Sequence, residues 1–364
     1  MGKTSLNTPM RPVVSLRTKA ENPATSDALM TSQLQVRVAE LLKNCSDTLD
    51  GSLLNAFRYH FATPGKMLRA QLAFNSARLH SASEVDADRW GLAVELIHNA
   101  SLIHDDICDS DLFRRGRPSV MAKFGQQTAL CLGDALISQA FGILARESIP
   151  RTLIAKLAMM VKTCASGQAQ EFCSSGYPNW QQYCDIAGGK TSSLLTGAVE
   201  GGALFDPLVD HNPKLSKYCI QMSLVFQMLN DSENIESAIN LKKLSTDFCQ
   251  FRPNALIVLY RDSLSAEEQL DFDNSISLNT NTSNQNGRSK AELWWAKMLR
   301  SDLVATGHAK IKCLLTQIEL NHRDLSPALQ NGISPLLAHA KNCMTNQSHS
   351  SVVQGLQIAK EHNG

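Results

Sequence analysis

The sequence predicts an all-α fold. Three observations predict it. Apolar residues recur at spacings of three and four through LNAFRYHFA, GLAVELIHNASLI and TALCLGDALISQAFGILA. Runs that alternate apolar and polar residues are scarce. Glycine and proline stand between the periodic stretches, as at Pro64-Gly65 and Pro178.

The elements follow in order. Residues 1–31 are polar, rich in Ser, Thr and Pro, and predicted to be disordered. They lack the apolar centre of a secretory signal. Acidic residues are absent before Glu21, so a mitochondrial presequence is the alternative to a disordered head. Residues 32–344 read as a single helical domain. Within it ALIVLY, Ala255 to Tyr260, reads as a buried helix rather than a strand. Residues 274–289 are rich in Asn, Ser and Thr and predict a long surface loop. Helix resumes at AELWWAKMLRSDLVATGHAKIKCLLTQI, with Trp294 and Trp295 in the core. Residues 345–364 form a polar tail that is expected to fray.

Bulk composition excludes some functions. Of 364 residues 43% are hydrophobic, enough for a large core. Lys plus Arg number 35 and Asp plus Glu 34, a net charge of +1. No global field draws nucleic acid, and a charged partner must be held by local charge. The ten cysteines form no Cys-x-x-Cys pair, so they read as reduced thiols in a cytoplasmic protein. No apolar run reaches the ~18 residues of a membrane span, so no transmembrane segment is expected.

Local charge is concentrated in LIHDDICDSDLFRRGRP, Leu102 to Pro118. Asp105, Asp106 and Asp109 share one helical face, and 105 to 109 spans about 6 Å of helix axis. Carboxylates that close repel one another unless a cation sits among them. The apolar run before them places the cluster at the mouth of something buried. Oxygen ligands at this spacing suit Mg²⁺, which takes one or two carboxylates plus water and phosphate oxygens. Arg114 and Arg115 add forked donors for phosphate oxygens. Both signs of charge make sense together if a diphosphate lies between them.

ELIHNASLIHDDICDSDLFRRGRPS resembles the first aspartate-rich region of the trans-isoprenyl diphosphate synthases, the polyprenyl synthetases. PGKMLRAQL is similar to that family's early Gly-Gly-Lys-x-x-Arg motif, with Pro64 at the first glycine. The resemblance implies an isoprenoid synthase-type helical bundle around a deep apolar cavity. It implies that Lys66, Arg69, His98 and Arg115 bind isopentenyl diphosphate, and that Arg114, Lys190, Lys243 and Arg252 assist on the allylic diphosphate. Lys190 and Thr191 come from GGKTSSLL, and Gln168 from GQAQE, where it would line the cavity. Mg²⁺ is the implied cofactor, on Asp105, Asp106 and Asp109. A homodimer is the implied assembly, with a heteromer as the alternative.

The second aspartate-rich region departs from the family pattern. FQMLNDSENIE keeps Phe226 and Gln227, but the expected Asp-Asp-x-x-Asp reads Asn230-Asp231-Ser232-Glu233-Asn234. The resemblance still assigns metal to Asn230, Asp231 and Asn234, and a catalytic role to Gln227 beside Asp105, Asp109 and Lys190. Three functions remain open. One is a prenyltransferase that condenses an allylic diphosphate with isopentenyl diphosphate. The others are a class I terpene synthase and a non-catalytic partner subunit. In the resembled family a bulky aromatic one turn before the first motif stops chain growth. Here Ala100 and Ser101 are small, which implies a product of geranylgeranyl size or longer.

Overall fold

The computed structural model describes residues 36–63, 65–172, 176–208, 212–279 and 285–361. The head at 1–31 and Pro64 lie outside the described residues. The chain begins with α1 at 36–46, then α2 (Gly51–Phe61), α3 (Leu68–Leu79) and α4 (Glu84–Cys108). A short hairpin, β1 (Phe113–Arg114) with β2 (Arg117–Pro118), leads into α5 (Val120–Phe124), α6 (Gln126–Leu144) and α7 (Arg151–Phe172). Next come α8 (Trp180–Ala187), a π-helical turn (Gly188–Ser192), α9 (Ser193–Ala203) and α10 (Pro213–Asn240). The remainder is α11 (Thr246–Cys249), α12 (Ala255–Asp262), α13 (Ala266–Asn279), α14 (Gln285–Leu299), α15 (Leu303–Arg323) and α16 (Pro327–Glu361).

The central element is α4. Ser83 caps it by accepting the Asp86 N–H, and Glu84 and Asp86 in its first turn complement the helix dipole. Trp90 is fully buried, and its indole N–H donates to the Ala198 carbonyl at 2.9 Å. That contact requires glycine on α9, because a Cβ on Gly201 would lie 2.1 Å from the Trp90 ring. Close packing of α3, α4 and α9 therefore fixes where the C-terminal end of α4, with its aspartates, emerges.

The hairpin after α4 has a two-residue turn at Arg115-Gly116, with φ of 52° and 74°. Positive φ at both positions matches the twist of the paired strands, and glycine takes the second at no steric cost. Arg115, in a conformation that L-residues disfavour, is held by its guanidinium donating to the Thr63 carbonyl at 2.7 Å.

Three expectations change. The segment 274–289 is helical at both ends, since α13 runs to Asn279 and α14 starts at Gln285. Phe272 and Ile276 are fully buried, so the apolar residues of α13 anchor a helix that its Asn and Ser content disguised. The backbone of residues 345–361 continues α16 rather than fraying. Finally, α6 does reach the length and hydropathy of a spanning helix by composition alone. It is half embedded against α4 and carries Gln126, Gln127, Asp134 and Gln139. The helix at Ala255–Asp262 and the burial of Trp294 and Trp295 agree with the sequence reading.

Candidate active site

Two cavities use α4 as a shared wall. The larger, about 870 Å³, is lined by Lys66, Arg69, His98 and Arg115, with Glu95 as its one acidic residue. The smaller, about 400 Å³, is nearly all apolar: Ile97, Ala100, Ile107, Leu130, Ile137 and Val161 line it, with Ser101 and Gln168. Asp105 stands at its edge.

In the cationic cavity, Arg69 and His98 face each other at 3.2 Å. Burial and the neighbouring arginines, Arg69 first, push the His98 imidazole well below its ordinary range. The ring is therefore neutral, its Nε2 accepts from Arg69, and its Nδ1 is buried without a partner. Glu95 lies beneath this pair, 2% exposed, accepting from Asn99 at 2.9 Å through Oε1. Its Oε2 has no hydrogen-bond partner. Burial raises its pKa, while Asn99 and Arg69 oppose the rise. The residue was not singled out in the sequence, although it lies three positions before His98 on the same helix.

The first acidic stretch divides in two. Asp105 faces Lys190 at 3.8 Å, and Lys190 donates to Glu171 at 3.1 Å. Asp109 lies 3.9 Å from Arg252, whose guanidinium also donates to the Asp109 backbone carbonyl and pairs with Asp111 at 3.0 Å. One oxygen of Asp109, Oδ1, is buried and unpartnered. Burial raises both carboxyls, Asp109 to about 6. Asp106 differs: it is 1% exposed and locked to Arg114 at 2.7 Å. Its carboxylate turns away from the apolar cavity toward a small pocket with Tyr59 and His60. Asp106 and Arg114, read from the sequence as metal and phosphate contacts, are thus committed to each other.

Lys190 reaches the acidic residues because the chain bends there. It stands in the π-helical turn after α8, packed so tightly on α7 that a Cβ on Gly167 would lie 2.6 Å from the Lys190 nitrogen. Burial lowers the Lys190 pKa, but Asp105 and Glu171 outweigh it and the net shift is upward. Thr191 donates to Gln227 at 3.4 Å. Gln168 lines the apolar cavity with both amide atoms buried and unpartnered.

The second acidic stretch is arranged otherwise. Asp231 is buried and accepts from the Tyr183 hydroxyl at 2.7 Å, the Gln227 amide at 2.9 Å and the Ala255 N–H at 2.7 Å. Asn234 accepts from Ser245 at 2.6 Å and donates to Thr246 at 2.7 Å. These contacts occupy the buried Asp231 and the half-buried Asn234, both read from the sequence as metal ligands, in hydrogen bonds to their own fold. Asn230 is exposed and lines the cationic cavity. Lys243 is exposed and lines neither cavity, unlike the phosphate-facing role read for it.

The profile of the polyprenyl synthetases matches residues 50–291. The chain belongs to the polyprenyl synthetase family. It is 32% identical over 208 residues to a short chain isoprenyl diphosphate synthase of Methanocaldococcus jannaschii, covering 56% of this chain and 63% of that protein. It is 33% identical over 208 residues to a geranylgeranyl diphosphate synthase of Methanosarcina mazei, covering 55% and 63%. The matched part thus spans under two thirds of these relatives. A polyprenyl synthase of Caulobacter crescentus, solved with calcium and isoprenyl diphosphate, shares the fold with a TM-score of 0.71 at 21% identity. That likeness covers 89% of this chain and 98% of the other.

Polyprenyl synthetases are typically metal-dependent, so the acidic residues need testing against a divalent cation. Among the described residues no group of three His, Cys, Asp or Glu side chains surrounds one point. Asp105 and Asp109 still fit a hydrated Mg²⁺. They supply hard oxygens one turn apart, and the buried Asp109 Oδ1 has no other partner. Two carboxylates with water and phosphate oxygens are a normal Mg²⁺ set.

Proposed function

We propose that this protein is a Mg²⁺-dependent prenyltransferase. It condenses an allylic diphosphate with isopentenyl diphosphate to a trans-prenyl diphosphate of geranylgeranyl size or longer. The observation that carries the reading is the pairing of a cationic cavity with an apolar one along a single helix, with Asp105 and Asp109 at its end. A cavity rich in Lys and Arg suits a diphosphate, and an apolar one suits a growing hydrocarbon tail.

In this reading Asp105 and Asp109 hold Mg²⁺, which, when bound, neutralises charge on the leaving diphosphate. Lys190 and Arg252 add fixed positive charge at the same end. The allylic carbon–oxygen bond breaks, leaving an allylic cation and diphosphate. Lys66, Arg69, His98 and Arg115 hold isopentenyl diphosphate with its double bond toward that cation. The new carbon–carbon bond forms, and a proton then passes from the isopentenyl unit to the departing diphosphate. Gln168, with both amide atoms unpartnered, supplies a donor and an acceptor beside the allyl group. The built cationic cavity favours condensation over cyclisation, which has no use for a second diphosphate.

A homodimer belongs to the same proposal. The helix α6 exposes Leu130 and Cys131, a surface suited to a second copy. Nine described cysteines are free, which supports a cytoplasmic, reducing setting. The deciding experiment supplies Mg²⁺, labelled isopentenyl diphosphate and each short allylic diphosphate, then separates products after phosphatase treatment. Elongated prenyl alcohols support the reading. Cyclised hydrocarbon formed without isopentenyl diphosphate would replace it with terpene synthesis. Turnover only with a second protein would indicate a partner subunit.

A further inference from the structure

The cationic cavity has a wall that the family profile does not reach. Its match ends at residue 291, yet Leu336 and His339 of α16 line the cavity. The His339 imidazole stacks on the Phe226 ring, with centroids 5.8 Å apart and planes at 29°. Its Nε2 lies 3.3 Å from the Lys66 ammonium, and Cys343 Sγ lies 3.5 Å from Nε2 and 3.8 Å from Nδ1. The helix is tied in place from α3, where the Asn75 amide donates to the Gly332 carbonyl at 3.3 Å.

Lys66 has only hydrogens to donate, so His339 Nε2 is the acceptor between them. An imidazole that merely accepts from an ammonium at a cavity mouth is a weak partner for it. The cavity presents Lys66, Arg69 and Arg115 against one carboxylate, Glu95. Such an excess of fixed positive charge calls for an anion with several oxygens. An oxygen arriving between Lys66 and His339 takes a hydrogen bond from each once the imidazole proton moves from Nδ1 to Nε2. That change of tautomer costs little, because Cys343 Sγ, 3.5 Å from Nε2 and 3.8 Å from Nδ1, is a weak hydrogen-bond partner for either nitrogen.

We propose that His339 is a diphosphate-binding residue, closing the cationic cavity from α16 together with Lys66. The proposal rests on the prenyltransferase reading for the identity of the diphosphate as isopentenyl diphosphate. The geometry it uses is independent of turnover. It also gives α16 a direct part in substrate binding.

Two substitutions separate donation from stacking. H339F keeps an aromatic ring on Phe226 but cannot donate. H339Q keeps a donor of similar reach. Loss of one hydrogen bond to a charged group weakens binding about 10-fold or more. H339F should therefore raise the KM for isopentenyl diphosphate about 10-fold, with a smaller change in kcat and in the allylic KM. H339Q should recover most of that loss. Calorimetric titration of the full-length protein with inorganic diphosphate should show the same order of affinity: wild type, then H339Q, then H339F. Wild-type affinity in H339F would reduce His339 to a packing residue and overturn the proposal. An H339Q protein as weak as H339F, with an unchanged melting temperature, would overturn it as well. If wild type gives no elongated product, the prenyltransferase reading fails, but the inorganic diphosphate titration still decides the role of His339.

Discussion

The two acidic stretches have similar sequences and opposite environments. At the end of α4, Asp105 lines the apolar cavity, Asp105 and Asp109 face basic side chains, and one Asp109 oxygen has no partner. In the middle of α10, Asp231 is sealed and receives three hydrogen bonds from Tyr183, Gln227 and Ala255. Carboxylates with unfilled hydrogen-bonding capacity are open to a cation, whereas satisfied ones hold helices together. The first stretch keeps unfilled capacity at Asp109, and the second, at Asp231, is satisfied within the fold.

The largest effect should come from the first stretch. Asp105→Ala or Asp109→Ala removes a metal-facing carboxylate and should lower kcat about 100-fold or more, because preorganised charge at the leaving group is lost. Steady-state kinetics at saturating Mg²⁺ measure it. Product formation near the wild-type rate in either variant would detach these residues from the chemistry.

Asp231→Ala should break the comparison from the other side. It leaves the Tyr183 hydroxyl, the Gln227 amide and the Ala255 N–H unpaired in a buried setting. The expected cost is about 2–4 kcal/mol of stability, read from urea unfolding. If stability is retained while metal dependence changes, Asp231 belongs with the metal after all.

Proton linkage sharpens the contrast. Burial pushes Asp106 and Asp109 up to about 6 and Asp231 to about 7, above the ordinary 3.8. Between about pH 4 and 7 these three carboxyls therefore bind more protons in the folded, metal-free protein than in the unfolded chain. Their contribution to stability then falls as pH rises through that window and levels off above about 7. Urea midpoints in chelator at about pH 4.5, 6 and 7.5 test the sign. Mg²⁺ should flatten the curve by favouring the ionised carboxylates in the native state. Because the buried His60 and His98 shift the opposite way, the midpoints are compared with those of Asp231→Asn, and a wild-type advantage that grows steadily to pH 7.5 would contradict the Asp231 shift.

Product length probes the cavity beside the first stretch. Ala100 is 1% exposed and lines the apolar cavity with Ser101, one turn from Asp105. Phenylalanine at either position occupies volume that an incoming isoprene unit needs. Chromatography of dephosphorylated products from S101F and A100F should show the distribution shortened by at least one unit. Active variants with unchanged products would place the floor elsewhere, for instance at Ile137 and Val161.

Much of this was legible because helical periodicity fixes which residues share a face. The spacing of Asp105 and Asp109, and of His98 before them, put them on α4 without knowledge of its neighbours. The direction of Asp106 was not legible. It depends on the hairpin turn that returns Arg114 onto it, a contact between elements. The hydrogen bonds of Asp231 were hidden for a related reason, since its partners Tyr183 and Ala255 come from α8 and α12. His339 carried no local signal, and only the packing of α16 brings it to Lys66. The helical ends of 274–289 were hidden because Asn, Ser and Thr have weak helix propensity and read as a loop.

The smallest expected effect returns to the second stretch, at its one position that faces a cavity. Asn230 is exposed on the wall of the cationic cavity, free of the internal bonds that occupy Asp231 and Asn234. Asn230→Asp adds a carboxylate there without disturbing buried partners. If the metal–diphosphate cluster extends to α10, the added charge should lower the Mg²⁺ concentration for half-maximal activity by a few-fold. The gain is limited because an exposed carboxylate acts through water, where a charge pair at 4 Å is worth only about 1 kcal/mol. The same charge faces the site read as binding isopentenyl diphosphate, so it should also raise that KM slightly. Initial rates across a Mg²⁺ series for wild type and N230D measure both. An unchanged Mg²⁺ response with a higher isopentenyl diphosphate KM would show that Asn230 belongs to the cationic cavity alone. The metal would then rest on the α4 carboxylates without help from α10.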